Sequence, residues 1–370
     1  MGENDIRNKN LIENLAVLEK WIEKNNRIGY MKLNGSSNLG CLYGLFDEKL
    51  GISINFDISV NNKAMTFEAH PGIHVVNDCL LPSIMAYCQQ IETRFGLVNV
   101  GSEFREVEYH TESFIIDNKI SFKTLELFEK EALNVFRNHY KNLMNLACAR
   151  ALELDLSVLK NQKLCPVRLF DKKRAFLKLG LLMKASSKDI KYNYVSSKKK
   201  SNGEQIYYCQ LVAKNDIYRV TFQIDDSGVL ILKGHHGEKA LSIPNEKKYE
   251  MYYLLNDENE GNQYTASILD KNNEIQTMIC TSLLDGEITD ATIASMERYL
   301  IYAIQNLNPN IENLAGCGCL RIENNNLRSN QEKLNNVRRI VMREKPNNAL
   351  QLGNQNTFSI GEKDYFEDEE

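Results

Sequence analysis

Residues 107–140, VEYHTESFIIDNKISFKTLELFEKEALNVFRNHY, align without a gap on residues 275–308, IQTMICTSLLDGEITDATIASMERYLIYAIQNLN. The match is one of pattern more than identity. Ile115-Ile116-Asp117-Asn118 falls on Leu283-Leu284-Asp285-Gly286, Ile120-Ser121 on Ile288-Thr289, and Glu129 on Glu297. Each copy reads as an apolar strand, a turn at Asp-Asn or Asp-Gly, and a Ser or Thr N-cap opening an amphipathic helix. Leu125, Phe128, Ala132, Phe136 and Tyr140 form one helical stripe, and Ile293, Met296, Leu300 and Ile304 form the other. Steps of three and four residues put each set on a single helix face. A repeat of this kind sets the architecture before any other feature is read.

Outward from this phrase, residues 10–25 carry Leu11, Leu15, Leu18 and Ile22 at helical spacing. Strand patterns follow at 27–33, 40–47, 50–60 and 63–69, then a helix over 77–95 with Pro82 near its start, where proline costs least. Strands at 98–105 and 106–116 lead into a long helix over 121–152. The second half offers a helix at 170–186 and a Ser/Lys/Asn/Gly segment at 186–203. Strands at 204–213, 216–225 and 228–234, a helix at 245–257, strands at 262–270 and 273–284, and a helix at 289–307 complete it. The expected class is α+β. Two tandem α-β-β-β-α-β-β-α modules, the first with room for an extra strand, span 1–152 and 170–315 around a connector at 153–169. Each would be an antiparallel sheet packed by its helices. From 316 onward asparagine is dense, Pro346 stops any helix begun at 326–345, and 346–370 has the composition of a flexible tail.

The element order, and above all the segments Phe114–Ser121 and Leu283–Thr289 with the helices after them, resembles the YbjN-like and type III secretion chaperone-like superfamily. The likeness would cover about 1–150 and 165–310 as two copies. It implies an α/β module that dimerises and binds other polypeptides without catalysis, so that two copies in one chain imply an intramolecular pseudo-dimer. The linker and tail have no counterpart in it.

The bulk composition is that of an ordinary globular protein: 370 residues, 43% hydrophobic, 25% charged, net charge −4. No apolar run approaches the roughly 18–20 residues that span a bilayer, and the start MGENDIRNKN lacks a signal-peptide core. Nine scattered cysteines fit a reducing compartment, so the expected location is cytoplasmic. Charge is uneven. Residues 161–200 hold twelve Lys or Arg against two acids, whereas the chain ends on Asp364, Glu367, Asp368, Glu369 and Glu370.

Candidate chemistry is sparse. Gly316-Cys317-Gly318-Cys319 places two thiols one residue apart, but zinc needs four ligands and no second pair lies nearby, so a Gly-rich loop leaving the last helix is the favoured reading. His70-Pro71-Gly72-Ile73-His74 reads as a turn, as does Gly234-His235-His236-Gly237 on the surface. Glu129 and Glu297 invite a paired-carboxylate idea, yet each follows a core residue and reads as a helix flank in contact with water. No phosphate loop, dinucleotide fingerprint, nucleophile elbow or zinc-protease motif is present.

The leading expectation is a non-enzymatic chaperone or adaptor that binds another polypeptide, without cofactor, metal or membrane. Phe358, Ile360, Tyr365 and Phe366, set among acids, are candidate partner-binding residues of the tail. The alternative is a nucleic-acid-associated protein, in which Lys172, Lys173, Arg174, Lys198, Lys199 and Lys200 touch phosphates beside Tyr192 and Tyr194. An enzyme ranks third.

Overall fold

The computed structural model describes residues 3–25, 27–34, 39–61, 63–101, 105–116, 119–150, 153–162, 164, 170, 172–182, 190–199, 205–213, 216–239, 242–261, 264–270, 272–316, 351–352 and 358–359. The first half runs α1 (Glu3–Lys24), β1 (Ile28–Asn34), β2 (Leu39–Asp47), β3 (Ile52–Val60), β4 (Ala64–His74), α2 (Leu81–Cys88), β5 (Leu97–Val100), β6 (Glu106–Phe114) and α3 (Phe122–Ala147). After a one-turn helix α4 (Ser157–Lys160) the same order returns. It comprises α5 (Lys172–Leu182), β7 (Ile190–Lys199), β8 (Gln205–Ala213), β9 (Asp216–Ile224), β10 (Val229–Lys239), α6 (Lys248–Gly261), β11 (Ala266–Leu269), β12 (Glu274–Ser282) and α7 (Asp290–Ala315). Both halves therefore have four strands before the middle helix. The additional strand of the second half is the lysine-rich stretch expected to be an irregular segment. Alternation in IKYNYVSSKK supports a strand despite its charge, because an edge strand tolerates lysine on its exposed side.

The bounds of β6 and α3 recur in β12 and α7 with the same 168-residue displacement at all four ends. Their N-caps match as well: Ser121 Oγ accepts from Thr124 N–H at 3.3 Å and Thr289 Oγ1 from Thr292 N–H at 3.2 Å. The stripes read from sequence are buried except for the partly exposed Tyr140. The closing helix is longer than its periodicity indicated, continuing through Pro309 to Ala315. The helix expected over 77–95 ends at Cys88.

One mixed, mostly antiparallel sheet of twelve strands runs β1-β2-β3-β4-β6-β12-β10-β9-β8-β7, with β5 on β6 and β11 on β12. Two separate antiparallel sheets were expected. They are continuous because β6 and β12 pair in parallel at Ser113 with Cys280 and Phe114 with Thr281. One core lies under α1 and α3, around Trp21, Tyr43, Phe56, Phe67 and Phe128; it continues into Met251 and Leu255 of α6. A second lies under α7, around Phe222, Leu232 and Leu300.

Two histidine motifs belong to strands, not turns. Pro71 and Gly72 form a bulge inside β4, where the register slips between Ala69 and Ile73 and Gly72 takes a φ of 73°. Gly234, His235 and His236 continue β10. Gly234 lets α7 pack closely there: a Cβ would run into the Ile304 side chain and lie 3.3 Å from Leu300 Cδ1. Gly316 caps α7, and Cys317 and Cys319 lie outside the described residues. In the tail, Gln351–Leu352 (β13) pairs antiparallel with Phe358–Ser359 (β14). Among the described residues no helix is long and apolar enough to cross a membrane.

Candidate functional site

The two halves of the chain meet along β6 and β12, and the meeting is closed by polar groups. Thr281 Oγ1 donates to the Phe114 carbonyl at 2.7 Å, and Ser282 N–H donates to Ser113 Oγ at 3.2 Å. Asp285, in the turn after β12, reaches the N-terminus of α3. Its Oδ1 accepts from Ser121 N–H at 2.8 Å and from Thr124 Oγ1 at 2.6 Å. An aspartate read from sequence as a turn residue thus caps a helix of the opposite half. The equivalent Asp117 lies outside the described residues. Elsewhere along the seam Asn256 of α6 accepts from Val100 N–H and donates to the Val100 carbonyl, both at 2.9 Å. Phe114, Tyr264 and Tyr299 pack ring against ring, and Lys63 donates to Tyr299 Oη at 2.8 Å.

Burial pushes the Asp285 carboxyl up to about 6, against the hydrogen bonds from Thr124 and Ser121. At pH 5 it is largely protonated, yet it still accepts. Asp285→Ala leaves the Ser121 N–H without that acceptor, so an unfolding titration at pH 5 should show a loss of about 1–3 kcal/mol. Unchanged stability there would remove the cap from the list of seam contacts.

Glu129 and Glu297 are not helix flanks in water: they are 5% and 3% exposed. Glu129 forms an ion pair with Arg27 and accepts from Tyr43 Oη at 2.8 Å. Burial raises its carboxyl, and Arg27 and Tyr43 draw it back. At the position of Tyr43 the second half has Cys209, placed equivalently in the β8–β9 pair, so Glu297 lacks that phenol. Burial pushes Glu297 up to about 8. Each carboxyl sits on a different α-helix, Glu129 on α3 and Glu297 on α7, in its own half of the one sheet, and the two do not form one site.

The basic stretch is divided by the fold. Lys172 pairs with Asp226 at 2.6 Å, Arg174 pairs with Glu287 at 2.5 Å, and Lys178 pairs with the same carboxylate at 2.8 Å. Lys173 stands on α5, Lys198 and Lys199 at the end of the edge strand β7, and Lys200 outside the described residues. Of the tail candidates, Phe358 lies in β14, while Ile360, Tyr365 and Phe366 fall outside the described residues. The exposed large apolar residues include Ile12 on α1, 61% exposed, and Leu177 on α5, 66% exposed. They occupy corresponding helices of the two halves. Leu177 reads from sequence as one of the apolar residues of the 170–186 helix; among the described side chains of α5, Leu179 is buried.

The outward face of β3, β4 and β6 carries an ionisable array that sequence reading did not assemble. Asp57 lies opposite Glu68, Glu68 opposite His110, and Thr66 opposite Glu112. His110 Nδ1 is 3.0 Å from Glu68, and His70 lies 3.6–3.8 Å from Glu68, Glu106 and Glu108. Glu112 accepts from the Tyr264 N–H across the seam. Although burial opposes it, Glu106, Glu68 and Glu108 hold His70 up to about 10. Burial and the Glu68 charge push Glu108 up to about 7 and Asp57 up to about 6. Strand alternation would have placed Glu106, Glu108, His110 and Glu112 on one face. The cross-strand neighbours required the register of β4.

Among the described residues no group of His, Cys, Asp or Glu is placed to hold a metal ion. Comparison with protein-family models, with curated proteins and with solved structures finds no match.

Proposed function

We propose that the chain is a non-enzymatic protein-binding module, a chaperone or adaptor, in which 1–152 and 170–315 are tandem copies joined as an intramolecular pseudo-dimer. The observation that carries this reading is the central seam. The segments that repeat at 168 residues are the ones that pair, strand beside strand. Covalent tandem linkage raises the effective concentration of one half for the other to roughly millimolar. The remaining surface suits capture of a polypeptide. Among the described residues, β1 and β7 end the sheet on opposite sides with one paired edge each. An edge strand offers unpaired backbone N–H and C=O groups to an incoming strand. Ile12 and Leu177 add apolar contacts on the two corresponding helices.

The nucleic-acid reading draws less support, because Lys172, Arg174 and Lys178 already neutralise Asp226 and Glu287. Retention on heparin that falls steeply with salt would restore it.

Cleavage tests the pseudo-dimer. A protease site inserted at 165–169 and cut in the folded protein should give two fragments that co-elute and melt as one. Fragments that separate on a sizing column would defeat the reading. Co-purification of one specific polypeptide is the direct test of partner binding.

A further inference from the structure

The two corresponding sheet faces differ in charge. Ladder register places Arg219 where the first half has Asn55, Thr221 where it has Asp57, and Lys233 where it has Glu68. On β12, Gln276, Met278 and Cys280 stand at the positions of Glu108, His110 and Glu112. Only the His70–Glu106 neighbourhood persists, as His235 and Glu274 at 3.3 Å. The first face thus holds five carboxylates, Asp57, Glu68, Glu106, Glu108 and Glu112, against His70 and His110. The ion pairs these carboxylates make among the described residues are with those two histidines. An independent feature lies beside Glu108. Asn99 of β5 is 1% exposed and donates to Glu108 Oε1 at 3.0 Å, yet its own Oδ1 has no hydrogen-bond partner. A buried amide oxygen left so costs about 1–3 kcal/mol, and a donor arriving beside Glu108 would recover it.

We propose that the acidic face of β3, β4 and β6 seats an extended polypeptide segment carrying Lys or Arg at alternate positions. This rests on the protein-binding reading and names the chemistry of the partner. Alternate residues of one strand lie about 7 Å apart, and neighbouring strands about 4.8 Å apart. Glu106, Glu108 and Glu112 therefore recur at multiples of the interval between alternate residues of an extended chain, with His110, paired to Glu68, between the last two. A guanidinium between Glu108 and Asn99 Oδ1 gives donors to both, and a desolvated carboxylate binds such a fork more strongly than one in open water. The second half lacks these carboxylates at the positions of Asp57, Glu68, Glu108 and Glu112, so the tandem has one acidic seat instead of two.

The test uses the full chain and a fluorescent eight-residue peptide of alternating Arg and Thr, with a Glu-Thr peptide as control, at pH 7.5 and physiological salt. The Arg-Thr peptide should bind and the control should not. Glu106→Gln with Glu108→Gln should weaken binding at least tenfold, and Glu68→Lys, which copies the second half, should abolish it. Circular dichroism and the melting temperature establish that each variant folds; should Glu68→Lys fail, the amide pair decides. Arg219→Ala and a chain with Asp364 and Glu367–Glu370 changed to amides should bind as wild type does. Equal binding by the face variants, or loss of binding in the tail variant, overturns the proposal. A native polypeptide partner retained equally by wild type and face variants would overturn this seat while leaving the protein-binding reading intact.

Discussion

Glu297→Gln should stabilise the protein by roughly 4 kcal/mol at pH 8.5 and change it little at pH 4.5. The folded-state carboxyl stands at about 8 against an ordinary 4.5. A carboxyl raised on folding binds its proton more tightly in the native state. The fold is favoured while both states are protonated, and stability falls as pH rises from 4.5 through 8. Glutamine keeps the shape and carries no charge, so the gap between variant and wild type opens across that window and is constant above it. Urea unfolding at half-unit steps of pH measures it. Parallel stability curves for the two proteins would mean that Glu297 is not held neutral. The same substitution at Glu129 should be damaging, because it leaves Arg27 without its counter-charge in a buried setting.

Gly40→Ala should cost about 3 kcal/mol, near the top of the range for overpacking. A Cβ at Gly40 would run into the Ile58 carbonyl oxygen and lie 3.1 Å from Ser59 Cα. Both are backbone atoms of β3, paired with β2 over its full length, and neither can rotate away. Gly51→Ala is the matched comparison. Its φ is 69° and nothing lies within 4 Å of the added carbon, so the loss there should be only about 1 kcal/mol of backbone strain. Equal losses at the two positions would show that the β2–β3 ladder gives way to the added carbon at little cost.

Much of the architecture was legible because its signals are local. The N-caps at Ser121 and Thr289, the stripes of α3 and α7, and Pro82 in the first turn of α2 each depend on neighbours within one or two helical turns. The repeat itself was legible because strand, turn and helix recur at one spacing. Local composition also misled. His70-Pro71-Gly72 and Gly234-His235-His236-Gly237 have the residues of turns, but β4 pairs through His70 with β3 and on either side of the bulge with β6, and β10 pairs through His235 with β9 and β12. The lysines of 190–199 spoke for a solvated segment until β8 supplied the hydrogen-bonding partner.

The sequence by itself determined the order of the elements, their inward faces and the 168-residue echo. Only the tertiary structure decided that β6 and β12 join into one sheet, that Asp285 caps the helix of the other half, and that Glu297 is buried. It alone set Asp57, Glu68, His70, Glu108 and His110 side by side. The physical reason is range. Helix periodicity and capping are written in contacts three or four residues apart, whereas strand register, burial of a carboxyl and the meeting of charges depend on chain segments tens to hundreds of residues apart.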